Sequence, residues 1–317
     1  MESTEPGGRR IGWGGAGRMG VAMAQRLLAA GHDVAVTNRT RSKAEVLAEY
    51  GATVVDRPVE LADREVVFVM VSASKDLEAV VTGPGGLLES DGPVPDVIVD
   101  CSTVSAEASA AVRLAAAKRG VELLAAPVSG NPKVVAAGKL TMAVSGPEGA
   151  YEDVEPLLRL LGRGVTYVGD GEAARLVKIC HNVFLGVVTQ SLAEITVLAE
   201  RSGVHRTAFL QFLNDSVLGS TFTRYKTPAF VNLDFRPTFT PVLLRKDFDL
   251  GLAAAREVEV PMPIAALCAQ IVGAAIGAGH VEEDFAVLLL EAARAAGMTL
   301  EPEGVEVPDG LEPESLG

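Results

Sequence analysis

The chain has 317 residues, 48% of them hydrophobic, and a formal net charge of −13. That length allows two domains with substantial cores, and the acidic balance argues against a general nucleic-acid binder, which carries a basic face. No run of about 18 uninterrupted apolar residues marks a membrane span, and the polar start MESTEPGGRR lacks the apolar stretch of a signal peptide.

The first half alternates β-branched runs with alanine-rich amphipathic stretches. Residues 33–37, 65–70, 96–100 and 121–125 read as strands, and residues 17–30, 41–50, 75–81 and 105–118 as helices between them. Such alternation implies an α/β domain, a parallel sheet with helices on both faces. Residues 140–146 and 165–169 add two strands around a helix near 148–161. From Glu172 the pattern changes to helix alone. Residues 172–202 form one long helical stretch without proline, with Gly186 inside it and Ser202-Gly203 as its stop. Further helices are expected near 205–214, 247–257, 262–277 and 282–295, and residues 223–241 read as a long irregular connection. The expected domains are therefore 10–170, which is α/β, and 171–300, which is all-α. Residues 1–9 and the acidic, Pro- and Gly-rich 301–317 are expected to be disordered. Cys101, Cys180 and Cys268 form no CxxC pair, which points to a reducing cytosol without a disulfide frame or a metal site.

The most specific stretch is IGWGGAGRMGVAMAQRLLAAGHDVAVTNRT. Gly15, Gly17 and Gly20 give G-x-G-x-x-G between a short strand and a helix. Gly15 permits a tight turn, Gly17 lets a pyrophosphate approach the backbone, and Gly20 lets helix and strand pack closely. A lone motif of this kind is weak; the helix and second strand that follow make it a dinucleotide-binding turn. Gly15, Ala16, Gly17, Arg18 and Met19 are its candidate contacts. Gly14 weakens the first strand, and Trp13 is expected to carry its packing. An Asp or Glu at the end of the second strand would bind the ribose 2′-hydroxyl of NAD. This chain has Asn38, Arg39 and Thr40 there, with Lys43 a turn later. A cationic, hydroxyl-bearing end suits the 2′-phosphate of NADP, so NADP is the expected cofactor, with NAD as the alternative.

Ligands of such sheets bind beyond the carboxyl ends of the strands. Ser102 and Thr103 fall at one end, and Ser129, Gly130 and Asn131 at another. The second run offers a hydroxyl, an unhindered N–H and a carboxamide, suitable donors for a small carboxylate; a plain turn at Pro127 and Gly130 is the other reading. On the long helix, AARLVKICHNVFLG places Lys178 among apolar residues with Asn182 one turn on. Taken alone, such a lysine lays its stem on apolar surface and its head in water.

Together these blocks resemble the β-hydroxyacid dehydrogenase family, which includes 3-hydroxyisobutyrate dehydrogenase and tartronate semialdehyde reductase. The resemblance covers roughly residues 10–297. GAGRMGVAMAQRLLAAGHDVAVTNRT, DCSTVS, APVSGNPKVVAAGKLTMAVSG and GDGEAARLVKICHN carry it, and LLRKDFDLGLAAA is a fifth block. It implies a Rossmann domain followed by an all-helical one that builds homodimers or homotetramers. It places the family's catalytic lysine on Lys178, its helical asparagine on Asn182 and its substrate loop on Ser129 and Gly130. Lys246 matches the lysine of a Lys-Asp pair near the nicotinamide, and Val71, Ser72 and Thr103 match cofactor contacts. Two departures stand out: Asn131 replaces the second glycine of the loop, and His181 replaces the first of two adjacent asparagines. Both leave the identity of the substrate open, with His181 a candidate contact.

The expected activity is hydride transfer between nicotinamide and a small 3-hydroxy acid, semialdehyde or keto acid. Lys178 would serve as general acid/base and stabilise charge developing on the carbonyl oxygen. Two rivals are imine reduction on the same scaffold and a dinucleotide sensor without turnover. Ser220, Thr223, Arg224, Tyr225 and Lys226 are weaker candidates, equally a solvated loop or a subunit contact.

Overall fold

Short β-branched runs build the core of the first half. In this computed structural model, which describes residues 8–311, six of them form one parallel sheet. They are β1 (Arg10–Gly14), β2 (Asp33–Thr37), β3 (Thr53–Val54), β4 (Val66–Val69), β5 (Val97–Asp100) and β6 (Glu122–Ala125), in the order β3-β2-β1-β4-β5-β6. The order reverses between β1 and β4, which makes their carboxyl ends the switch point where such sheets bind ligands. β4 and β5 are buried along their whole length, as near-continuous apolar strands of a doubly covered parallel sheet must be. The helices between strands are α1 (Arg18–Ala29), α2 (Arg41–Glu45), α3 (Ser74–Val81) and α4 (Ala106–Ala117). β1 has glycine at 12 and 14, and Trp13 fills the gap: it is fully buried, its ring lies 5.4 Å from that of Phe68, and its Nε1 donates to the Gly15 carbonyl.

A second sheet follows, of β7 (Val128–Ser129), β8 (Thr141–Val144) and β9 (Gly164–Tyr167), with β7–β8 antiparallel and β8–β9 parallel. The short helix α5 (Pro132–Ala136) and the longer α6 (Glu148–Leu161) connect these strands. Sequence reading placed neither β7 nor α5, because a two-residue strand and a five-residue helix are too short for periodicity to register.

α7 (Ala173–Arg201) runs for 29 residues. Its length and mean hydropathy of 1.4 match those of a membrane span, but half of that apolar window is buried in the protein's own packing. The chain divides inside it into two compact units, Met1–Lys178 and Ile179–Gly317. The second unit is helical, with α8 (Arg206–Asp215), α9 (Thr221–Asn232), α10 (Pro241–Glu257), α11 (Pro263–Gly277) and α12 (Leu288–Ala295). Phe230, Phe248, Phe285, Leu288 and Leu289 form its buried centre. Small residues bring α7 and α10 close. A Cβ on Gly186 would fall 2.5 Å from the Phe248 ring, and one on Gly251 would fall 2.5 Å from Val183.

Two expectations are corrected here. Residues 223–241 are not one irregular connection: α9 occupies most of the stretch, started by a reciprocal cap between Ser220 and Thr223 and carried through Pro228. α10 begins at Pro241, with the Thr240 hydroxyl accepting from the Leu243 N–H. The described part of the tail, 301–311, is laid against the helical unit rather than disordered. The Glu303 N–H bonds the Val231 carbonyl, the Gly304 N–H bonds Asn232 Oδ1, and Leu311 is buried. Likewise Arg9 is held by Glu65 and Asp153; residues 1–7 and 312–317 lie outside the described residues.

Glu303 supplies the N-terminal cap that His205 does not give to α8. Its carboxylate accepts from the Arg206 N–H at 2.6 Å, the Thr207 N–H at 3.1 Å and the Thr207 hydroxyl. Burial alone would raise this carboxyl, but the Thr207 and Arg206 hydrogen bonds and the Arg206 charge hold it below the ordinary glutamate value. Such a group's stabilisation is complete above its ordinary pKa and fades as the pH falls through the lowered one. Glu303→Gln is therefore expected to destabilise the protein by about 1 kcal/mol at neutral pH, about 1–2 °C in Tm. Melting curves at pH 7 and pH 3 check this: the gap from wild type should close at the lower pH.

Candidate functional site

The glycine turn after β1 is built on three distinct demands. Gly15 has φ +103°, and a Cβ there would fall 2.2 Å from the Met70 carbonyl oxygen. A Cβ on Gly20 would fall 2.0 Å from the Gly15 oxygen. Neither position accepts any other residue without moving backbone. Around Gly17 no atom lies within 4 Å of where a Cβ would be, so this backbone faces open space. The space is a cavity of about 340 Å³ beyond the carboxyl ends of β1, β2 and β4. Gly15, Gly17, Asn38, Arg39, Thr40, Lys43, Val71 and Ser72 all line it, so the structure brings these expected cofactor residues together within the first unit.

Their roles differ from the simple expectation. Asn38 accepts the Ala16 N–H at 2.9 Å and donates to the Thr40 carbonyl at 2.8 Å. Its carboxamide shapes the turn, and the Ala16 N–H is taken. Arg39 donates to Asp76 at 3.0 Å while its side chain stays 85% exposed. Thr40 precedes α2 without capping it through its hydroxyl, which leaves that hydroxyl for a ligand. Asp76 opens α3, and Asp56 pairs with Arg41; sequence reading missed both as cavity-lining residues. Each faces an arginine from the segment after β2, a pairing that no local spacing announces. Ala16, Arg18, Met19 and Thr103 do not line the cavity. Arg18 is exposed, and Met19 packs on the core.

The candidate substrate loop begins where β7 ends. Ser129 pairs in register with Thr141, and Gly130 has φ +144° with a Cβ position 2.8 Å from Val134. Asn131 is nearly buried, and its Oδ1 accepts the Val134 N–H at 3.1 Å as the N-cap of α5. The oxygen is thus committed to the helix, and the amide NH2 is the donor that remains for an anion.

Lys178 is half-buried on α7, and Asn182, one turn on, is buried. Asn182 Nδ2 donates to Asp247 Oδ2 at 2.6 Å. Its Oδ1 lies 3.0 Å from His181 Nδ1; since that oxygen accepts, the histidine proton is assigned to Nδ1. Lys246 stands beside them, 44% exposed, with Nζ 3.8 Å from Asp247 Oδ1. Asp247 is therefore the residue that sequence reading passed over: it fixes the asparagine, and the Lys-Asp pair was its signal.

The profile of the NAD binding domain of 6-phosphogluconate dehydrogenase covers residues 10–169. That described as NAD-binding of NADP-dependent 3-hydroxyisobutyrate dehydrogenase covers residues 171–291. The 2-(hydroxymethyl)glutarate dehydrogenase of Eubacterium barkeri is 33% identical over 88% of this chain and 93% of its own length. The 3-hydroxyisobutyrate dehydrogenase of Pseudomonas aeruginosa is 33% identical over 80% and 87%. The cytokine-like nuclear factor N-PAC of Bos taurus is 32% identical over 85% of this chain, which spans only 49% of that longer protein. The structure of Mycobacterium tuberculosis 3-hydroxyisobutyrate dehydrogenase with L-serine superposes with a TM-score of 0.77, at 26% identity over 90% of this chain and 99% of that one. The chain belongs to the β-hydroxyacid dehydrogenase family of NAD(P)-dependent oxidoreductases acting on CH–OH donors.

Proposed function

We propose that this chain is an NADP(H)-linked dehydrogenase or reductase that interconverts a small 3-hydroxy acid with its semialdehyde or keto acid. One observation carries the cofactor assignment. The cavity beside Gly17 ends on Arg39, Thr40 and Lys43, with Asn38 where a carboxylate would hold the ribose 2′-hydroxyl of NAD. Two cations and a hydroxyl that caps no helix suit a 2′-phosphate. The two dehydrogenases at 33% identity support the substrate class: the hydroxy acids in their names both contain HOCH2–CH(R)–COO⁻. A hydroxyl carbon one step from a carboxylate asks for an anion holder and a proton-transfer group a few ångströms apart.

This chain's residues divide that work. Bound nicotinamide supplies or accepts the hydride. The Ser129 hydroxyl, the Gly130 N–H and the Asn131 NH2 hold the carboxylate. Lys178 gives a proton to the carbonyl oxygen during reduction and removes it during oxidation. Its ammonium also stabilises negative charge on that oxygen. Asn182, held at both ends of its carboxamide by Asp247 and His181, keeps a fixed polar group one turn from the lysine. Cation and carboxamide on one helix face suit carbonyl rather than imine chemistry. A homo-oligomer in a reducing cytosol belongs to the same reading, supported by Phe184 and Leu198, 68% and 66% exposed on α7.

Oxidation of NADPH with a panel of short semialdehydes and 2-oxo acids tests the activity. Lys178→Ala should lower kcat on the accepted substrate by roughly 10²–10⁴-fold; tight NADPH binding without any turnover would instead mark a sensor. The cofactor assignment has its own test in the ratio of kcat/KM for NADPH over NADH. Loss of a charge-assisted contact in Arg39→Ala should reduce that ratio by about 10-fold or more. An unchanged ratio removes Arg39 from the phosphate site.

A further inference from the structure

We propose that Arg175 is a positioning residue for proton transfer: its buried guanidinium bolts the first turn of α7 to the carboxyl end of β5, fixing the height and rotation of the helix that carries Lys178. The inference rests on the reading of Lys178 as the acid/base.

Arg175 is 2% exposed and Asp100 is fully buried. Arg175 Nη2 donates to Asp100 Oδ2 at 2.6 Å, Nη1 to the Ser102 carbonyl at 3.1 Å, and Nε to Glu172 Oε2 at 2.9 Å. Three acceptors, one on each guanidinium nitrogen, suit the guanidinium fork, which a lysine ammonium does not reproduce. The other oxygens are also engaged. Asp100 Oδ1 accepts the Ser102 N–H at 3.0 Å, and Glu172 Oε1 accepts from Arg113 Nε at 2.9 Å. Two carboxylates and two guanidinium groups balance in charge, with Asp100 and Arg175 the buried pair at the centre.

The network leads to the cofactor cavity. The Ser102 hydroxyl accepts the N–H of Val71 at 2.9 Å, and Val71 lines that cavity. One run of hydrogen bonds thus joins the cavity wall, the end of β5 and a helical residue three places before Lys178. Residues three apart on a helix stand on neighbouring sides, about 4.5 Å along the axis. Turning a helix by about 10° moves an atom about 6 Å from its axis by about 1 Å. A misplacement of about 1 Å can lower a rate by about 10²-fold. The Ala174 N–H, bonded to the Ser145 hydroxyl at 3.0 Å, helps hold the turn, and the Arg175 side chain bonds the strand end beside the cavity wall.

Arg175→Lys and the isosteric Asp100→Asn test the proposal in the full-length protein. Three quantities are read: kcat with NADPH and succinic semialdehyde, the NADPH dissociation constant, and the acetic anhydride acylation rate of Lys178 relative to exposed Lys75. The last needs no substrate and stands alone if this aldehyde is not turned over. Both variants should bind NADPH within about threefold of wild type. Each should lose at least about tenfold in kcat and change the acylation ratio at least about threefold. Wild-type kcat and acylation in either variant that binds NADPH overturns the proposal. So does loss of NADPH binding in both, which would make the network merely a folding element. Full turnover by Lys178→Ala would sink the lysine reading itself, whatever the Arg175 variants do.

Discussion

The gap between the Gly15 carbonyl and Gly20 is too small for a methyl group: a Cβ on Gly20 would lie 2.0 Å from that oxygen. Everything at the cofactor end follows from this contact. It lets the first turn of α1 sit on the end of β1, so the backbone at Gly17 opens onto the cavity. It also brings the end of β2 within reach of the turn, where Asn38 bonds the Ala16 N–H. With a larger residue at 20 the helix would stand off, and the cavity would lose its floor before any ligand contact was considered. Trp13 supports the contact from below, its indole N–H on the same Gly15 carbonyl.

A comparable constraint acts in the helical unit. Gly186 and Gly251 allow α7 and α10 to approach until Phe248 and Val183 fill the space a side chain would take. That approach sets the register in which Asn182 meets Asp247 at 2.6 Å. A buried carboxylate facing a carboxamide is worth little as stability beside its desolvation. It does fix which way the amide points.

The sequence made the architecture legible where periodicity and backbone chemistry act locally. The glycine spacing, the β-branched strands and the apolar face of α7 all work within a few residues of themselves. What stayed hidden acts across long separations or against a strong local signal. Glu303 caps a helix that begins at Arg206, 97 residues earlier in the chain, and no composition rule connects an acidic tail to that helix end. α9 runs through Pro228, although a proline inside a helix removes a backbone donor, so residue chemistry within 223–241 points away from the helix that forms there. Asn38 lines the cavity, but its partner is the protein's own turn. Thr240-Pro241, a cap followed by a proline at the first helical position, was present as a start signal and was outweighed by the aromatic, proline-rich run before it.

The charges at the cavity bear on how an acidic chain holds a polyanion. Asp56 and Asp76 both line the space, and on charge alone they would repel a phosphate. Each is matched to an arginine, Arg41 and Arg39 respectively, so the local field is nearly balanced while the chain as a whole carries −13. The two pairs are not equivalent. Arg39 is 85% exposed and its bond to Asp76 is a surface ion pair, an interaction worth about 0–1 kcal/mol. Lys43 lines the same cavity and adds a second cation there. Arg41 is tied to both Asp56 and Glu45 and lies outside the cavity lining. The loosely held arginine is thus the one that lines the cavity.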